Sequence, residues 1–114
     1  MLNIFTTAEN VTEVKQFFVV FKIVDLKSES VLFVGLTNYS LEETFSKLAE
    51  EAENNSHVPI CKYIHNVPND SMKIEAITWT DDIVHAEELK HFYTQTLNPA
   101  YNCEIGMTYI RNPQ

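Results

Sequence analysis

Few side chains in this chain stand at spacings that chemistry requires. The stretch His85 to His91 (HAEELKH) puts Glu87 and His91 four residues apart, and His85 and Glu88 three apart. On a helix such pairs share a face, and a Glu/His pair at i, i+4 can hold a metal ion. Two ligands do not complete a site, and no third is evident. His57 and Cys61 repeat the spacing with the same shortfall. There is no glycine-rich phosphate loop, and no serine or cysteine sits in a nucleophile motif. A hydrolase of another class therefore has no support.

Charge is the stronger chemical signal. Sixteen acids face eight bases, for a net charge of −8, and Arg111 is the one arginine. A nucleic-acid backbone rewards Lys and Arg because each phosphate contact releases counterions, so a general nucleic-acid ligand is not expected. A basic protein partner fits better, as does a compact small-ligand site. The acids cluster in two runs. Glu42, Glu43, Glu50, Glu51 and Glu53 form one, and Asp81, Asp82, Glu87 and Glu88 the other. Such runs are ordinarily solvated faces. The sharper alternative is an acidic surface that imitates phosphates and binds the basic groove of a nucleic-acid enzyme.

One domain must position these residues. The length of 114 residues leaves little room for a second, and 45% hydrophobic content is ordinary for a globular chain. No window approaches the ~18 apolar residues of a membrane span. The start Met1 to Thr6 lacks the basic and apolar blocks of a signal peptide, so a cytoplasmic location is expected, host cytoplasm if the protein is viral. The sequons at Asn10, Asn38 and Asn54 then read as chance. Cys61 and Cys103 are too few for a disulfide framework or zinc knuckle and read as reduced, partly buried thiols.

The run Gln16 to Leu26 (QFFVVFKIVDL) predicts a buried strand, and Val31 to Thr37 (VLFVGLT) a second, joined through the polar turn Lys27 to Ser30. Gly35, one of two glycines, lies inside that second strand, where glycine marks a bulge or a close backbone approach. An exposed edge of this hairpin would permit a homodimer. Ser40 and Glu43 have capping-box spacing and open a helix to about Asn54, with Leu41, Phe45 and Leu48 on one face. His57 to His65 predicts a shorter helix with Pro59 in its first turn. Met72 to Trp79 predicts a third strand. Thr80, Asp81 and Asp82 offer caps for a helix reaching Leu97, which Asn98-Pro99 stops. A last short strand is expected within Glu104 to Arg111. The order β-β-α-α-β-α describes a small α+β sandwich, a three-stranded antiparallel sheet flanked by helices.

This order, with several local words, resembles the GIY-YIG nuclease domain from about Phe18 to Asn102. Val19-Val20-Phe21 followed by Lys22-Ile23 stands at the first name motif, and Phe33-Val34-Gly35 at the second. Ser40 to Glu50 corresponds to the helix that carries the family's arginine. His85-Ala86-Glu87-Glu88 lies in the helix of its metal-binding glutamate. Asn98-Pro99-Ala100-Tyr101-Asn102 matches the closing segment.

In the resembled family, tyrosine hydroxyls and the arginine hold the attacking water and the scissile phosphate, and the glutamate carries a divalent metal. Here both tyrosine positions are phenylalanine, Phe21 and Phe33. Thr44 stands at the arginine position, and Leu48 where many members have histidine. Gly35, Glu87 and Asn102 match. Losing one positioned proton-transfer group typically costs about 10²–10⁴-fold in rate, and losing the cation that stabilises transition-state charge costs more. The resemblance thus implies an inactive domain without a cofactor, in the style of an inhibitory, phage- or mobile-element-type binding protein. Two other readings follow from it. Phe21, Lys22, Phe33, Gly35, Thr44, Lys47, Glu87 and Asn102 would line a former cleft that binds a nucleotide or small anion, with the phenylalanines stacking on a base. Alternatively, Mg²⁺ at Glu87 would sustain weak nuclease activity, with Lys47 approaching from about 60° around its helix. The plain alternative is a core or cleft-wall role for the two phenylalanines, a solvated Glu87 and an Asn102 that hydrogen-bonds a loop.

Overall fold

The hairpin follows from its composition: two runs of β-branched and aromatic residues flank a polar turn, which the Asp25 carboxylate closes by accepting the Ser28 N–H at 2.8 Å. In the computed structural model, residues 16–54, 58–102 and 109–110 are described. The readings made for Met1–Thr6, Asn10, His57, Cys103 and Arg111 fall outside them. Strands β1 (Phe18–Asp25) and β2 (Val31–Thr37) pair antiparallel, and β3 (Met72–Thr80) pairs antiparallel with the other side of β1. Helices α1 (Leu41–Glu53) and α2 (Pro59–Asn66) stand between β2 and β3 in sequence, and α3 (Ile83–Leu97) follows β3. This is the expected α+β domain. A two-residue strand β4 (Tyr109–Ile110) extends the sheet, parallel to β2, giving the order β3-β1-β2-β4.

The helix boundaries have local causes. Ser40 caps α1 by accepting the Glu43 N–H at 3.1 Å, as the capping-box spacing predicts. Pro59 opens α2, where its missing N–H needs no partner. Asp82 accepts the Val84 N–H at 2.9 Å to begin α3, and Asn98 ends it in the left-handed conformation, φ 50°.

Side-chain alternation divides the core into two layers. Phe21, Ile23 and Phe33 face one way and pack with Leu48 and Ala52 of α1 and with Ile60, Cys61 and Ile64 of α2. Val20, Val34 and Leu36 face the other way and pack with Ala86 of α3. The sheet is therefore sandwiched between α1/α2 and α3. Cys61 is wholly buried, not partly buried as expected, because α2 turns it inward to within 3.8 Å of the Leu48 carbonyl. The closing segment lies along the outer edge of β2. Tyr101 donates its N–H to the Leu32 carbonyl at 2.8 Å, and its ring stacks on Tyr63 of α2 at 4.7 Å.

Candidate functional site

The positions that resemble a catalytic set separate into four places. Phe21 and Phe33 are buried, 0% and 1% exposed, with ring centroids 5.9 Å apart. Both rings lie over Gly35, the residue across the ladder from Phe21. A Cβ at Gly35 would stand 2.6 Å from Phe21 Cζ and 2.7 Å from Phe33 Cε2. The glycine is thus explained by ring packing; its φ is not positive. Neither ring offers a face to solvent.

Thr44 lies on the same side of the sheet and is also fully buried. Its hydroxyl stands 2.7 Å from the Thr37 hydroxyl and donates to the Ser40 carbonyl at 2.7 Å. These contacts tie the first turn of α1 to the end of β2. Leu48, one turn on, is fully buried in the same layer. Lys47 is exposed on the flank of α1, its ammonium 5.7 Å from the centre of the Tyr39 ring, close enough for a cation–π contact.

Lys22 lies on the opposite face of the sheet from its neighbour Phe21, as strand alternation demands. Its ammonium is 3.8 Å from Glu75, which also holds Lys73 at 2.8 Å. The Lys73 hydrogen bond lowers the Glu75 pKa from its ordinary value, and the same contact raises that of Lys73. With Asp25 and Glu29 these residues line a depression of about 300 Å³. Glu87 belongs to α3, on that same side of the sheet. Its carboxylate is about half exposed and pairs with Lys90 one turn on, at 3.1 Å. His85 and His91 are exposed on the same helix. Among the described residues no three His, Cys, Asp or Glu side chains stand together as metal ligands.

Asn102 occupies a fourth place, the outer edge of β2. Its side-chain amide accepts the Val34 N–H at 2.9 Å and donates to the Val34 carbonyl at 2.8 Å. The role is that of a strand residue, filling the gap between Tyr101 and β4. The plain expectation for Asn102 is a bond to a loop; its partner is instead the strand residue Val34, to which nothing local in the sequence points.

The acids of α1 are arranged differently. At about 100° per residue, Glu42, Glu43, Glu50 and Glu53 share an outward arc of about 100°. That arc lies opposite the buried Thr44, Leu48 and Ala52. All four are exposed, whereas Glu51 sits on the flank and is half-buried. Glu42 and Glu43 suit the positive end of the helix dipole. Glu50, Glu51 and Glu53 crowd its negative end, and the last turn holds no basic residue.

No protein-family model, curated protein or solved structure matches the chain. No helix among the described residues is long and apolar enough to cross a membrane.

Proposed function

We propose that this chain is a catalytically inactive GIY-YIG-like domain that works as a binding protein and presents the outer face of α1 to a basic surface on a protein partner. One observation carries the reading. Acids at the C-terminal end of a helix oppose its dipole by about 0.3–1 kcal/mol each, yet Glu50, Glu51 and Glu53 stand together there in a turn that holds no basic residue. A helix shaped for stability alone would place lysine or arginine in that turn. A basic partner offsets the unfavourable charge when it docks. The buried Phe21, Phe33 and Thr44 support the same reading, since no tyrosine hydroxyl stands at the first two positions and no cation at the third. An inhibitor that occupies the basic groove of a nucleic-acid enzyme is the form of partner this charge suits.

The test exploits the opposed effects on folding and binding. In the Glu50→Lys/Glu53→Lys variant the dipole is better matched, so thermal stability stays level or rises. Affinity capture from lysate, followed by salt-dependent binding to each purified partner, should show partners lost from this variant. Retention of every partner by the stable variant refutes the reading.

A further inference from the structure

The outer edge of β3 has the form of an unfilled strand site. β3 is an edge strand nine residues long, and no described strand pairs with its outer side. The backbone directions follow from the register. Val34 turns its N–H and C=O outward to Asn102, so its partner Lys22 turns its own toward β3. Lys22 opposes Glu75. Glu75 therefore bonds inward to β1, and Ile74 and Ala76 point their N–H and C=O groups to the open side.

Edge strands are ordinarily blunted by short length, proline, inward charges or a bulge. β3 has no proline; its devices are the bulge near Ile77 and the charged residues Lys73 and Glu75. Its charges, Lys73 and Glu75, pair with each other on the face shared with Lys22. On the face toward α1 the strand shows Ile74, Ala76 and Trp79, none of them charged. Ala76 is exposed there, and Trp79 is 62% exposed with Phe17 edge-on at 5.1 Å. Beside this face a cavity of about 300 Å³ opens between α1 and the strand, lined by Phe45, Met72, Ile74, Asn69 and Glu42.

We infer that this edge receives an extended segment of a partner protein, apolar at alternate residues and flanked by basic ones. The segment adds as a strand to Ile74 and Ala76, and an apolar side chain enters the Phe45–Met72–Ile74 cavity. Its basic flank meets Glu42, the acid of α1 that lines the cavity. Charge selects this occupant over a second copy of the chain, which would bring its own net charge of −8 and its own Glu42 to the same edge. The inference rests on the reading of the chain as a binding protein, and it names how the partner is held.

Trp79 is the only tryptophan, so its fluorescence reports on the edge directly. The probe is the synthetic peptide Lys-Lys-Val-Thr-Val-Thr-Val-Lys-Lys, with a control carrying Glu for each Lys. The lysine peptide should shift Trp79 emission to the blue and slow hydrogen exchange at the Ile74 and Ala76 amides, while the control does neither. Ala76→Pro removes an outward donor without breaking the ladder to β1, and Ala76→Lys sets a charge at an exposed position. Both should abolish the response. The inference is overturned if the control binds equally, if both variants still bind, or if the response maps elsewhere. It is also overturned if the Ile74 and Ala76 amides already exchange slowly without peptide, or become protected with protein concentration alone as a second copy would cause. Glu50→Lys/Glu53→Lys should keep the peptide response. Peptide binding without partner loss in that variant leaves this inference standing and the acidic-face reading refuted; the reverse pair of results does the opposite.

Discussion

The side chain of Asn102 pairs with both backbone groups of Val34, 68 residues earlier in the chain, at 2.9 and 2.8 Å. An amide side chain carries one acceptor and two donors, so it can copy the pairing of a strand residue. Between Tyr101, bonded to Leu32, and Tyr109, opposite Leu36, Asn102 continues the outer edge of β2. A residue that the resemblance would place in a cleft here closes a sheet.

Asn102→Ala removes both bonds and leaves the Val34 N–H and C=O without their partner. Each buried unsatisfied group costs about 1–3 kcal/mol, and the site is half-buried, so a total loss of about 2–3 kcal/mol is expected in urea unfolding. Asn102→Asp should be worse at neutral pH than in acid, because a carboxylate beside the Val34 carbonyl repels it. A neutral response to both changes would show that the edge of β2 is satisfied another way.

Gly35→Ala forces a methyl group into ring atoms at 2.6–2.9 Å. Overpacking of this kind costs about 1–3 kcal/mol. The ring that must give way is identified by coupling: Gly35→Ala combined with Phe33→Leu should cost less than the sum of the single changes. Strict additivity in denaturant melts would mean that the rings do not set the glycine.

The sandwich itself was legible from local signals: β-branched runs, the Ser40 and Asp82 caps, and Asn98-Pro99. What the sequence hid was the facing of side chains. In QFFVVFKIVDL both faces of β1 are covered by helices, so polar alternation vanishes and Phe21 shows no sign of its layer. α3 blurs its pattern as well, leaving Val84 and Phe92 65% and 56% exposed, so the outward position of Glu87 could not be read. β4 is expected as a strand, but its parallel pairing with β2 depends on a contact distant in sequence. The acidic arc was legible because helical spacing alone defines it; only Glu51 departs from it.

Restoring tyrosine at Phe21 and Phe33 tests whether a catalytic site lies dormant. Each new hydroxyl enters a layer built of Leu48, Ile60 and Ile64. Burying a hydroxyl in apolar surroundings costs about 1–3 kcal/mol by protein mutational measures. Phe21→Tyr and Phe33→Tyr should each lower the urea midpoint, and the double variant should nick no plasmid with Mg²⁺ or Mn²⁺. Metal-dependent nicking by the unaltered chain that disappears with Glu87→Ala would contradict the inactive-domain reading, whereas nicking by the double variant alone would reveal a dormant site.

The hairpin turn supplies a pH dependence with a defined sign. The Asp25 carboxylate accepts the Ser28 N–H and hydroxyl, both at 2.8 Å. These bonds, the backbone one foremost, hold its pKa below the ordinary value. A depressed folded pKa means that the charged form contributes stability above the unfolded value, about pH 4. That contribution is lost as pH falls through the folded value. Glu75, lowered by its hydrogen bond to Lys73, acts in the same direction. Urea unfolding across this acid range should therefore show stability falling toward low pH. Asp25→Asn flattens part of the slope and leaves the share of Glu75. Ser28→Ala removes one of the two bonds, so it should shrink the Asp25 share without abolishing it. If Asp25→Asn leaves the slope unchanged, the turn carboxylate is bonded equally well in the unfolded chain.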